Sequence, residues 1–151
     1  MKIAVGSDHR GFLLKGRLIQ FLRQNGYEVA DLGAHRKSPS DYPDVAAKLA
    51  RRVSGGAFDR GILICGTGIG MSITANKIKG VRAARCVTRR DATLSREHND
   101  ANVLALGGMT TPFQAAKEIV KIWLKTDAEG GRHQRRVKKI ARLEKGLLKD
   151  E

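Results

Sequence analysis

Short apolar runs alternate with helix-like segments along this chain, and that alternation leaves few ways to fold. "KIAVG", "YEVADLG", "RGILIC", "RAARCV" and "NVLALGG" read as strands. Between them, "GFLLKGRLIQFLRQNG" has helical periodicity closed by Gly26, and "DYPDVAAKLARRVSGG" opens behind Pro43 and ends at Gly55 and Gly56. "GMSITANKI" and "DATLSREHN" follow as helices, then "PFQAAKEIVKIWLKT" and a basic terminal helix after the last strand. Strands separated by helices pair in parallel, and the near-continuous apolar character of "RGILIC" suits a central strand covered on both faces. The expected fold class is α/β: a three-layer α/β/α sandwich, Rossmann-like, with about five parallel strands and helices on both faces.

With 151 residues, the chain suits one domain that buries roughly two-thirds of the surface its unfolded form exposes. We place that domain at residues 1–140, with a basic helical extension at 141–151. Cys65 and Cys86 form no paired framework, and no charged segment followed by an apolar one opens the chain, so a reduced cytoplasmic setting is expected. No apolar stretch approaches the roughly 20 residues that cross a bilayer.

The formal charge of +14 would ordinarily point to nucleic acid or another anion. Its distribution argues otherwise. The basic residues are densest in "GRHQRRVKKIARLEKGLLK", and no aromatic side chain is interleaved there as a stacking platform for single strands. A non-catalytic module binding anions or nucleic acid remains the alternative from another functional class.

In open parallel sheets, ligands sit at the carboxyl ends of the strands. The unusual residues cluster by sequence at such ends: "GSDHRG" after strand one, "CGTGIG" after strand three, and "SREHND" just before strand five. Asp8, His9, Cys65, Thr67 and His98 are therefore expected to converge on one cleft. In "ILICGTGIGMS", Gly66, Gly68 and Gly70 let successive backbone N–H groups turn toward one point, and the following helix adds its positive end. An anion fits that point. "GTGIG" is neither G-x-G-x-x-G nor a P-loop, so nucleotide binding is a weak match. The dipoles that hold an anion also favour a thiolate at Cys65, with a core cysteine at a strand end as the lesser alternative. Cys86 reads as strand filler. A lone histidine such as His98 at a helix end is more often a C-cap or a surface residue, and an aspartate such as Asp8 after a strand is also a routine helix N-cap.

Taken together, "GSDH", "ILICGTGIG", "SREHNDANVL" and "EGGRHQRR" resemble the type B ribose-5-phosphate isomerases, members of the ribose/galactose isomerase family that also holds allose-6-phosphate and galactose-6-phosphate isomerases. The resemblance runs from Met1 to about Ile140. It implies an aldose–ketose isomerase of pentose phosphate metabolism, working through an enediolate and needing no metal or cofactor. No His, Cys or carboxylate cluster in the sequence has metal-ligand spacing.

The resemblance also assigns roles. Cys65 corresponds to the base that moves a proton between C1 and C2, and Thr67 with the loop amides of Gly66, Gly68 and Gly70 to the donors that hold the enediolate. Another branch of the family uses a glutamate at the position of Met71. His98 corresponds to the ring-opening histidine, while Asp8, Tyr42 and Asn99 correspond to residues that contact the sugar. Arg132 and Arg136, four residues apart on one helix face, correspond with His9 to the phosphate anchor. In the family the histidine and arginine groups reach the cleft from a neighbouring subunit, which implies a homodimer, sometimes paired into a tetramer. One position departs from the pattern. "GGMT" puts Met109 where many ribose-phosphate members carry a phosphate-binding arginine, which keeps a hexose 6-phosphate open as the substrate.

Overall fold

A computed structural model describes residues 1–147 of the chain. Its elements, in order, are β1 (Lys2–Ser7), α1 (Phe12–Gln24), β2 (Glu28–Asp31), α2 (Tyr42–Ser54), β3 (Arg60–Cys65), α3 (Ile69–Ala75), β4 (Ala83–Arg85), α4 (Arg89–Asn99), β5 (Val103–Gly107), α5 (Phe113–Lys125) and α6 (Gly131–Glu144). The strands form one parallel sheet in the order β2-β1-β3-β5-β4. This is the expected three-layer α/β arrangement, with "RGILIC" at its centre.

The two-residue period of the strands divides the core into two apolar layers. Ile62, Ile64, Leu104 and Leu106 face α1 and α5, where Leu18, Leu22, Ile119 and Trp123 close over them. Leu63, Cys65 and Val103 point the other way, against Leu49, Ala50 and Val53 of α2 and Met71 and Ala75 of α3. Every one of these side chains is 6% exposed or less, so the sheet is sealed on both faces. Removing that area from water is the main stabilising term, at roughly 25 cal/mol per Å² of apolar surface.

The expected strand over "RAARCV" shortens to Ala83–Arg85 at the sheet edge. Beyond it, the chain turns at Thr88, whose hydroxyl accepts the Asp91 amide at 3.0 Å while Asp91 accepts the Thr88 amide at 2.9 Å. That capping box starts α4 and ends the strand. At the other terminus α6 passes through Ile140 without a break and stops at Glu144. Residues 148–151 of the expected extension lie outside the described residues.

Candidate active site

The chain leaves β1 through α1 on one face and reaches β3 through α2 on the other, so β1 and β3 flank the switch in connection where parallel sheets open a crevice. Cys65 ends β3 there, 4% exposed, on the face shared with Met71. The Gly68 amide donates to its Sγ at 3.2 Å. Gly68 adopts φ 79° to open α3, and a Cβ on it would stand 2.9 Å from the Leu106 carbonyl carbon. Only glycine can turn the loop this way while lying against β5. The thiol therefore faces a backbone donor held by the packing of two strands.

The remaining residues of this end close around the loop. Asp8 is 5% exposed, and its Oδ1 accepts the amides of Arg10 at 2.9 Å and Gly11 at 3.0 Å. One carboxylate oxygen thus fixes the turn into α1; among the described residues the other has no hydrogen-bond partner. His9 accepts the Ser40 amide on Nδ1 at 3.2 Å. Its ring then carries hydrogen on Nε2, a donor suited to an anion. The Thr67 hydroxyl accepts the Ile69 amide at 3.2 Å, and its carbonyl accepts Arg85 Nε at 2.7 Å. Tyr42, at the start of α2, lays its ring 2.6 Å from where a Gly70 Cβ would be. Gly66 lies between Arg10 and Met109.

His98 is at the other end of the sheet. It sits in the last turn of α4, just before β5, and β5 pairs Val103 with Gly61 at its start and Gly107 with Cys65 at its finish. Four steps of about 3.3 Å separate those ends along the strand. The Arg82 side chain holds this corner, donating to the carbonyls of Asn99 at 2.9 Å and Asp100 at 2.8 Å. Asp8, His9, Cys65 and Thr67 are brought together, whereas His98 and Asn99 are not part of that cleft within one chain. The expectation of a single convergence overlooked that α4 returns the chain to the amino ends of the strands.

A second constellation surrounds His98 instead. Its ring stacks on that of His133, with centroids 4.0 Å apart and planes 2° apart. His133 is 5% exposed, and its buried Nδ1 has no hydrogen-bond partner among the described residues. Burial first, then the nearby His98 and Arg132 charges, hold the His133 pKa below the ordinary imidazole value. The neutral ring accepts from Arg132 Nε on Nε2 at 3.3 Å, so its 3.4 Å approach to Glu129 is not an ion pair at neutral pH. Arg132 and Arg136 are exposed one turn apart on α6. The ligand atoms of His98, Glu129 and His133 lie within 4.8 Å of one another. Parallel stacked rings, however, keep their in-plane lone pairs in separate planes, which meet at no common point for an ion.

Two residues at these ends were not singled out from the sequence. Arg10 directly follows Asp8 and His9 in the same loop, and His133 lies beside Arg132, so adjacency within "SDHRG" and "GGRHQRR" was the available signal.

The family model described as Ribose/Galactose Isomerase matches residues 3–140. Ribose-5-phosphate isomerase B of Escherichia coli (strain K12) is 50% identical over 143 residues, covering 95% of this chain and 96% of that one. The structure of Clostridium thermocellum ribose-5-phosphate isomerase B superposes with a TM-score of 0.96 at 51% identity, covering 98% of this chain and 100% of the other. Ribose-5-phosphate isomerase B from Mycoplasma genitalium, solved with bound ribulose 5-phosphate, gives 0.92 at 44% identity over 95% of this chain and 96% of that one. Likeness of this extent covers both constellations and every strand between them, and by it the chain belongs to the ribose/galactose isomerase family.

Proposed function

We propose that this protein interconverts ribose 5-phosphate and ribulose 5-phosphate, with Cys65 as the base. The observation that carries the assignment is the Gly68 amide directed at Cys65 Sγ at 3.2 Å, at the mouth of a loop rich in backbone donors. In the open-chain aldose, the Cys65 thiolate takes the proton from C2. The electron pair of that bond forms the C1–C2 double bond, and negative charge moves to O1. Amides of Gly66, Gly68 and Gly70, with Thr67, hold that enediolate charge. The O2 proton then passes to O1, the O2 electron pair re-forms a carbonyl at C2, and C1 takes back the proton held on Cys65, which gives the ketose and restores the thiolate. The same atoms reversed give the aldose, and no cofactor or metal is required.

The other roles are divided between two copies of the chain. Asp8 and Tyr42 contact the sugar beside Cys65, and His9 donates from Nε2 to the phosphate. His98 opens the sugar ring and Asn99 contacts it, while Arg132 and Arg136 grip the phosphate from a neighbouring subunit. The separation of His98 from Cys65 along β5 supports this division, because one chain cannot close the site alone. A homodimer with two shared sites follows, which can pair further into a tetramer. The catalytic unit is residues 1–140, with 141–151 as a basic extension. Among the described residues no helix is long and apolar enough to cross a membrane, and we place the enzyme in the cytoplasm.

A hexose-6-phosphate isomerase of the same mechanism is the second reading. It rests on Met109, a neutral side chain 65% exposed where an arginine would narrow the cleft. Assay of the purified protein against pentose and hexose phosphates decides between them. A kcat/KM for allose 6-phosphate above that for ribose 5-phosphate overturns the pentose assignment and leaves the Cys65 chemistry in place.

A further inference from the structure

We infer that Arg10 supplies the phosphate donor that this chain lacks at position 109, an inference that rests on the sugar-phosphate reading above. β1 and β5 are the two neighbours of β3, so residues following them can reach the glycine loop from opposite sides. They meet over it. A Cβ on Gly66 would stand 3.2 Å from both Arg10 Cδ and Met109 Sδ, and Arg10 Nη1 donates to that sulfur at 3.6 Å. The guanidinium of Arg10 thus occupies the place that the tip of a long side chain at position 109 would reach.

The group is held but not used up. Its backbone N–H donates to Asp8 Oδ1 at 2.9 Å, and its carbonyl oxygen lies 2.7 Å from where a Cβ on Gly108 would be, so the backbone is fixed between two strand ends. Among the described residues Arg10 forms no ion pair, and its side-chain partner is a thioether, a weak acceptor. A guanidinium has five N–H donors in a planar fork, and among the described residues only Nη1 of Arg10 has a side-chain partner. They lie one residue from His9, whose Nδ1 accepts from Ser40 and whose Nε2 has no hydrogen-bond partner among the described residues. The ligand this pairing fits is a phosphate monoester dianion, which accepts forked, charge-assisted hydrogen bonds.

Met109 is then a companion to Arg10 and not a simple loss. Two guanidinium groups at this spacing would repel each other in the empty site, whereas a thioether lets Arg10 lie across the loop. The donor has moved from the end of β5 to the end of β1.

The test compares the parent with Arg10→Ala, Arg10→Lys and the double variant Arg10→Ala/Met109→Arg. KM for ribose 5-phosphate is measured alongside the Kd of inorganic phosphate by calorimetry. Loss of a hydrogen-bonded charge raises KM and the phosphate Kd together by about ten- to a hundred-fold, with a smaller fall in kcat. Arg10→Lys regains part of the loss, and the double variant regains most of it because the guanidinium re-enters from β5. Unchanged KM and phosphate Kd in Arg10→Ala overturn the inference, as does a double variant no better than Arg10→Ala. A parent that binds phosphate but does not isomerise ribose 5-phosphate defeats the substrate reading instead. The calorimetry still decides Arg10 in that case, a weakened phosphate Kd upholding it and an unchanged one ending it.

Discussion

The rings of His98 and His133 lie face to face, 4.0 Å between centroids and 2° from parallel, although one ends α4 and the other begins α6. Two imidazolium ions cannot share that stack at low cost, and burial first, then the charges of His98 and Arg132, hold the His133 pKa below the ordinary imidazole value.

A pH dependence of stability follows from this pair. The folded-state pKa of His133 is lowered, so near pH 6.5 the unfolded chain binds more protons than the folded one. Stability contributed by the neutral ring is complete above the unfolded value and is lost as pH falls from about 6.5 toward the lower folded value. Urea midpoints measured from pH 8 to pH 5 should decline over that window, and less steeply in His133→Gln. Parallel profiles for the two proteins would remove His133 as the cause.

Cys65→Ala should lower kcat for ribose 5-phosphate by on the order of 10²–10⁴-fold and leave the phosphate Kd near that of the parent. Cys86 provides the internal control for thiol chemistry. Burial pushes its pKa up to about 11, so it stays a thiol at neutral pH. Alkylation should inactivate the native enzyme with label on Cys65 alone, and substrate should protect it. Label found on Cys86 at the same rate would contradict this.

Mixing Cys65→Ala with Arg132→Ala should recover activity that neither has alone, because a mixed pair holds one site with both halves intact. Subunit exchange is established first, by mass-tagged chains. No recovery after proven exchange would mean that each chain supplies its whole site.

Gly68→Ala forces a side chain into φ 79° and against the Leu106 backbone. The combined strain should cost about 1–3 kcal/mol of stability and shift the amide that faces Cys65. Chemical denaturation and kcat should therefore fall together, whereas Thr88→Ala, which removes only the α4 cap, should cost about 1 kcal/mol with kcat unchanged. Equal kcat in Gly68→Ala and the parent would detach the loop geometry from turnover.

The strands were legible because each carries its own signal. "RGILIC" is apolar at nearly every position since helices cover both its faces, and "NVLALGG" likewise. The edge strand was read too long because Ala83–Arg85 lacks that signal and the capping box at Thr88 competes with it. The loop ends were also legible: Asp8, His9, Cys65 and Thr67 lie where strand ends put them. What the one-dimensional order hid was which end of the sheet His98 occupies, because a helix that returns to the amino edge looks, in sequence, just as near to the next strand. Arg10 was hidden for another reason. Its contact with Met109 joins residues 99 positions apart, and only the adjacency of β1, β3 and β5 brings them together.

The opposed placement of Cys65 and His98 on one sheet has a genetic consequence when two copies share their sites. A chain damaged at one end only, paired with a normal chain, still leaves one whole site of the two. A chain damaged at both ends leaves none, since each site then receives one broken half. Such a double lesion would silence its normal partner as well as itself, so a cell carrying both versions would lose more enzyme than the gene dosage predicts.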